Sequence, residues 1–309
     1  MNKKMKKMED SFASNPIEPK SVSRTVFVCF NTILLIIATL LSILPMLHIF
    51  ALSLSSNLPI LQGRVGLWPV GFDTFSYTYI IQNPVFISSA INSVIRVLMA
   101  VPINMVMIVI VAYPLSRSVL QFPARKFYVW FFLVTIVFSG GLVPLFMIIQ
   151  QVGIFNTRWA LVLPTAVPIF SAILMMNFFR ELPNELSESA MMDGAGHVTI
   201  FLRIFLPLSK AALATVLLLS FVFHWNAWFD GLVFIRDRSL RPLPTYLHTT
   251  LVQPNLSEMD ATEREIFLGF NLRAVRAANI FITTLPILLI YPFLQRHFTK
   301  GIRLGSVKG

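Results

Sequence analysis

The sequence predicts an all-α, polytopic membrane protein with six transmembrane helices, and three observations carry that expectation. Only 13% of the 309 residues are charged, about half of the ~25% usual in soluble domains. Hydrophobic residues make up 56%, and the mean hydropathy is +0.73. The charges also leave six uninterrupted apolar runs, bounded by Arg24 and Arg64, Arg96 and Arg117, Lys126 and Arg158, Arg158 and Arg180, Lys210 and Asp230, and Arg276 and Arg296. Each is long enough to cross ~30 Å of hydrocarbon, which takes roughly 20 residues. The same figures exclude a soluble globular protein and a disordered chain, which needs low hydrophobicity and high charge. The single cysteine, Cys29, excludes a disulfide scaffold and a Cys-based metal cluster. The net charge of +11 does not indicate nucleic acid, because the chain is too apolar to supply a folded basic module. It fits membrane topology instead.

Turn signals trim the runs to helices near 26–52, 92–115, 127–150, 159–179, 209–229 and 278–295. The first follows a basic tail (Lys3, Lys4, Lys6, Lys7, Lys20, Arg24). Its apolar stretch is about twice the length of a signal-peptide core, so it reads as a retained helix with a cytosolic N-terminus. The second carries Arg96 near its outer end, where the side chain is expected to snorkel in a structural role. The third holds Ser139-Gly140-Gly141 just ahead of Pro144, which predicts a break at depth. Pro45, Pro102, Pro144, Pro164, Pro168, Pro286 and Pro292 all fall inside spans and predict kinks, since each removes a backbone donor.

The basic residues test the topology independently. Segments assigned to the inside carry twice as many Lys and Arg as those assigned to the outside, from shorter lengths of chain, in agreement with the positive-inside rule. The organisation predicted is a basic cytosolic tail (1–24), a first transmembrane helix (25–52), an external loop (53–86), a five-helix core (87–296) containing a cytosolic loop at 180–207, and a cytosolic C-terminal tail (297–309).

The chemistry missing from the chain is as informative. No His-Glu-x-x-His pair, carboxylate pair, nucleophile elbow or Gly-x-x-x-x-Gly-Lys-Ser/Thr phosphate loop occurs. The only ionisable groups within the spans are Arg96, His48 and His224, whereas an ion-coupled carrier generally uses buried titratable groups. Uphill movement of a solute would therefore take its energy from a partner. An ion-coupled secondary carrier or channel, and an integral membrane enzyme, stay open as alternatives on composition alone.

The loop between the fourth and fifth spans inverts the local charge. Glu181, Glu185, Glu188 and Asp193 cluster on the face where other segments are basic. A short helix from about Pro183 to Met192 is predicted, with Pro183 in its first turn, acids near its positive end, and Gly194 at the left-handed position after its C-terminus. Gly194-Ala195-Gly196 leaves room for another backbone. A small acidic knob followed by an apolar segment is a docking shape.

The run Glu188-Ser189-Ala190-Met191-Met192-Asp193-Gly194-Ala195, then Phe201, Ile204, Leu206 and Pro207, resembles the Glu-Ala-Ala loop of the membrane subunits of bacterial ABC importers. Ser189 replaces the first Ala of that pattern, and Ala211 stands where a second Pro is often found. The likeness extends from Asn92 to the C-terminus through Asn92-Ser93, Ala112 to Arg117, Phe138 to Pro144, His224 to Asp230 and Tyr291 to Arg296. In these stretches the chain resembles carbohydrate-importer permeases, especially the branch associated with complex oligosaccharides such as pectin- or alginate-derived sugars.

The resemblance implies a type I importer transmembrane domain, with a first helix that packs against a homologous partner permease. It implies two cytosolic ATPase subunits that use ATP and Mg²⁺, an extracellular solute-binding protein, and no cofactor in this chain. Glu188, Ala190, Asp193, Gly194, Ala195 and Pro207 would form the ATPase-coupling element. Asn177, Trp225, Asn226 and Trp228 offer amides and aromatic faces for a sugar path, although Trp at a membrane interface is commonly a belt residue. The outer segment from Gly231 to Ala277, with its amphipathic stretch Leu256 to Leu272, would meet the binding protein.

Overall fold

The computed structural model describes residues 22–252 and 272–305. The basic tail before Val22 and most of the stretch Leu256 to Leu272 lie outside the described residues. α1 (Val22–Ser53) buries only Ala51 and Ser53. Its main seat is the last helix of the chain, where the Phe50 and Phe281 rings approach to 4.7 Å. A helix so apolar and so exposed faces lipid or another chain.

The segment expected as an external loop contains two short helices, α2 (Asn57–Leu61) and α3 (Phe75–Gln82). The second span, α4 (Pro84–Ser116), starts earlier than the apolar run indicated. The reason is local: Asn83 Oδ1 accepts from the backbone N–H of Val85 and Phe86 at 2.9 and 3.1 Å, and Pro84 has no N–H to satisfy. α4 is the axis of the bundle. Its buried residues recur every three or four positions (Phe86, Ser89, Ser93, Arg96, Ala100, Asn104) and continue through Ile108, Ala112 and Leu115, the stripe of a helix covered along one face.

The third span is broken where Ser139-Gly140-Gly141 predicts. α5 (Arg125–Val137) and α6 (Leu142–Gln151) meet at 112°, with Gly141 at φ +84°, a conformation open to glycine at little cost. The fourth span opens with tight turns over Arg158–Thr165, then bends by 43° into α7 (Ile169–Arg180), with Pro168 just before that helix. After α8 (Asn184–Met192), α9 (His197–Leu208) joins α10 (Lys210–Asn226) at 80°. The chain closes with α11 (Phe229–Phe234), α12 (Leu243–Leu247) and α13 (Leu272–Gly305). Among the described residues three continuous helices are long and apolar enough to cross a membrane, and the three bent pairs bring the number to as many as six. The helices that contain Pro45, Pro102, Pro286 and Pro292 continue through them as single helices, as membrane helices tolerate. The breaks lie at other positions.

Two apolar clusters sit at opposite ends of α4. At the end next to α8, Ile108, Ala112, Met175, Phe179, Phe205 and Val216 pack together. At the far end Phe86, Ile80, Leu243, Tyr246, Val275 and Ala278 do so. Between them lies a polar layer centred on Asn104. Its Nδ2 donates to the Thr165 and Ala166 carbonyls at 2.8 and 2.9 Å, and its Oδ1 accepts from Ser220 Oγ at 2.7 Å and His224 Nε2 at 2.8 Å. Every hydrogen-bonding position of the amide is used. These bonds satisfy carbonyls that the Arg158–Thr165 turns leave outside a regular helix. Asn104→Ala therefore orphans two acceptors and two donors at once, and each orphan costs about 1–3 kcal/mol. A clear drop in thermal unfolding temperature in detergent is the expected outcome, larger than for Asn177→Ala at an exposed position.

Candidate functional site

The acidic helix forms as the sequence indicates, one residue later than predicted. Pro183 is the residue before α8 and not part of its first turn. Its C-terminus closes with two bonds: Ala195 N–H donates to the Ala190 carbonyl at 2.9 Å and Gly194 N–H to the Met191 carbonyl at 3.0 Å. This is a Schellman closure, and it places Gly194 at φ +80°. Ala190 and Ala195 pack back onto the apolar cluster at this end of the bundle. Glu188, Asp193, Gly194 and Pro207 are exposed, and Met192 is 89% exposed. The six residues thus divide into an inward pair that seats the loop and an outward set that is presented.

Arg117, at the end of α4, ties this helix to the bundle. Its Nη1 donates to Ser187 Oγ at 3.4 Å, and its guanidinium lies over the Phe205 ring at 4.2 Å and the Tyr113 ring at 4.9 Å. Tyr113 OH donates to the His197 carbonyl at 3.2 Å. A cation held over two ring faces is stabilised by their quadrupoles. These contacts link α8 to α4 and α9.

Arg96 does not snorkel. It is 1% exposed and ion-paired with Asp230, and it also donates to the carbonyls of Ala227 at 3.2 Å and Leu161 at 3.4 Å. A guanidinium this deep needs a counter-charge. The chain places Asp230 at the start of α11 to provide it, in the wall of a cavity of about 290 Å³ beside the broken third span. Nearby, Arg158 is held by Asn92 Oδ1 at 2.9 and 3.1 Å. The structural role foreseen for Arg96 stands, but by a different mechanism. The signal in the sequence was Asp230 itself, the acid that bounds the fifth apolar run.

The predicted sugar-path residues separate. Asn226 and Trp228 line one cavity of about 530 Å³ at the far end, together with His248, Arg276 and Thr283. Trp225 adjoins it but is buried, with Nε1 donating to the Thr283 carbonyl at 2.9 Å and its ring stacked on Phe221. Asn177 is exposed near the end of α7 next to α8, away from the other three. Neither His248 nor Arg276 was singled out from sequence. Both lie in stretches with no motif, and only the packing of α12 on α13 brings them to Trp228. No group of three or more metal-ligating side chains occurs among the described residues.

No family model matches the sequence. The chain is similar to the polygalacturonan/rhamnogalacturonan transport system permease protein YtcP of Bacillus subtilis, 33% identical over 89% of this chain and 96% of that one. It is also similar to the trehalose transport system permease protein SugB of Mycobacterium tuberculosis, 30% identical over 87% of this chain and 93% of that one. Among solved structures it is similar to a chain of a bacterial ABC transporter involved in the import of the acidic polysaccharide alginate. The TM-score is 0.81 at 30% identity, over 92% of this chain and 100% of that chain.

Two outcomes test this geometry. Arg96→Gln strands Asp230 in a largely buried site and should destabilise the folded chain by about 3–5 kcal/mol, whereas Arg96→Gln with Asp230→Asn should recover most of the loss. Monodispersity on detergent gel filtration after graded heating reads both. At Gly194 an added Cβ meets nothing within 4 Å, so substitution costs backbone strain alone. Gly194→Val should loosen the helix end by about 1–2 kcal/mol and speed proteolysis there roughly 5- to 30-fold. Gly194→Asn, which tolerates the left-handed region, should resemble wild type.

Proposed function

We propose a role for this chain from one premise: it belongs to the permease subunits of sugar ABC importers. It is the membrane subunit of an ATP-driven importer that moves an oligosaccharide across the cytoplasmic membrane, and it is a transporter component and not an enzyme. The observation that carries this conclusion is likeness along almost the whole chain, in sequence and in fold, to permeases of that class. Family membership leaves the charge of the sugar open, because the relatives' names include an acidic polymer and the neutral disaccharide trehalose.

In the proposed assembly a homologous second permease covers the exposed apolar faces of α1, α5 and α6. Two separate ATPase chains use ATP and Mg²⁺ on the cytosolic side, and an external solute-binding protein delivers the sugar. α8 faces the ATPases, so both chain termini are cytosolic, as the asymmetry of basic residues supports. Glu188, exposed on α8, makes a charge-assisted contact with a basic residue in an ATPase groove. Asp193, Pro207 and the glycines let the loop enter that groove, and Ala190 and Ala195 hold it against the bundle. When the ATPases close on nucleotide, α8 moves with them. Arg117 and the apolar seat pass that motion to α4, α7 and α9. Sugar moves past Asn226 and Trp228 at the opposite end. The three ionisable groups that the sequence places within the spans each have a protein contact: Arg96 with Asp230, His224 with Asn104 and His48 with the Gly66 carbonyl.

Reconstitution of the complete transporter tests the coupling role. Removing Glu188 forfeits a charged hydrogen bond of about 1.5–3 kcal/mol. Glu188→Ala should therefore weaken ATPase association by roughly 10- to 100-fold, or uncouple hydrolysis from uptake, while sugar capture by the external binding protein is unchanged. Normal ATP-dependent uptake by Glu188→Ala combined with Gly194→Val, at matched expression, would show that α8 is not the coupling element. Uptake driven by an ion gradient without ATP would overturn the importer role as a whole.

A further inference from the structure

We propose that Arg276, together with His248 and the ring face of Trp228, forms a subsite for the carboxylate of a uronate unit, so that this chain itself selects acidic over neutral oligosaccharide. The inference rests on the importer function and names its substrate class. Its geometric basis is the far-end cavity of about 530 Å³, a size typical of small-ligand sites, which run to ~300–1,000 Å³.

The cavity combines a flat aromatic wall with a cation. The Trp228 and His248 rings stack at 3.9 Å with 13° between their planes, and Trp228 remains 38% exposed. A stacked pair held edge to edge with solvent gives the apolar face of a pyranose a rigid platform. Asn226, exposed at the end of α10, adds an amide for hydroxyl groups.

Arg276 is the group that sets the charge. Its Nε is buried with no hydrogen-bond partner among the described residues, and the same holds for His248 Nδ1. Arg276 is half-buried, and the arginines nearer the axis of the bundle are engaged: Arg96 by Asp230, Arg158 by Asn92, and Arg117 by Ser187 and two rings. Among the described residues no acid pairs with Arg276. A guanidinium turned into a cavity with donors to spare matches the planar, two-oxygen geometry of a carboxylate. A half-buried, unpaired charge in a membrane bundle is less well solvated than one in water, so an anionic ligand gains from an interaction whose desolvation the fold has in part already imposed. A lipid phosphate shares the anionic chemistry, but it has no use for the ring platform or the amide.

The test uses the complete transporter in vesicles of neutral phosphatidylcholine, which removes anionic lipid. The chain carries Cys29→Ser and Asn226→Cys, so that one thiol reports on the cavity. Its rates of modification by an anionic sulfonatoethyl and a cationic trimethylammonioethyl methanethiosulfonate are compared. The anionic reagent should be favoured, with the rate ratio falling about tenfold in Arg276→Gln, as removal of a unit charge a few ångströms away implies. Arg276→Lys should keep most of the preference. Trigalacturonate should protect the thiol, and neutral galactotriose at the same concentration should not. An unchanged ratio in Arg276→Gln, equal protection by both sugars, or no protection by trigalacturonate overturns the subsite. Uptake by matched vesicles that contain the chain without substitutions separates the two levels. ATP-dependent import by those vesicles, together with an unchanged ratio in the labelled ones, removes only the role of Arg276. Vesicles with the unaltered chain that import no sugar with ATP remove the importer function, and the subsite with it.

Discussion

A guanidinium buried in an apolar bundle must be neutralised where it lies, and this requirement organises the middle of the protein. Arg96 sits on the inward stripe of α4, 1% exposed. Its ion pair with Asp230 and its bonds to the Ala227 and Leu161 carbonyls draw the start of α11 and the turns after Arg158 against α4. Those turns leave carbonyls without helical partners. Two helical turns further along the same stripe, Asn104 takes up two of them. Breaking one partner out of such a network would leave a charge or a carbonyl unsatisfied in a dry site, so the layer stays closed.

On either side of this layer the bundle has a different character. At the end that carries α8, the packing is aromatic and dense: Tyr113, Phe179 and Phe205 meet in T-shaped contacts at 5.3 to 6.3 Å, with Arg117 laid over two of those rings. Such an end transmits displacement, because close-packed side chains cannot deform independently. At the far end a cavity lies among Trp228, His248 and Arg276, where His248 Nδ1 and Arg276 Nε have no hydrogen-bond partner among the described residues. The two ends thus differ in packing, one dense and aromatic and the other open and polar. The polar layer between them holds α4, α7 and α10 in register.

The spans that bend do so for backbone reasons. The third breaks at Ser139-Gly140-Gly141, where Gly141 adopts a positive φ, and the fourth turns ahead of Pro168. Pro45, Pro102, Pro286 and Pro292 interrupt no helix. A proline in a membrane helix frees one carbonyl, which neighbouring groups can satisfy. A Ser-Gly-Gly run has no such preference for continuing the helix.

The membrane class, the break at Ser139 to Gly141 and the acidic helix with Gly194 just after its end were legible in the sequence. Each depends on local quantities: the length of a charge-free run, a residue's freedom at positive φ, or a motif read over eight neighbouring positions. Only the tertiary structure decided that Arg96 pairs with Asp230 instead of reaching for the membrane surface, that Asn104 serves four partners, and that Trp225 spends its indole N–H on Thr283. It also decided that Trp228 shares a cavity with His248 and Arg276 while Asn177 lies elsewhere. These contacts join residues tens to more than a hundred positions apart. They depend on the bend angles and rotations of whole helices, and hydrophobic periodicity, which reports only that a face is covered, contains neither.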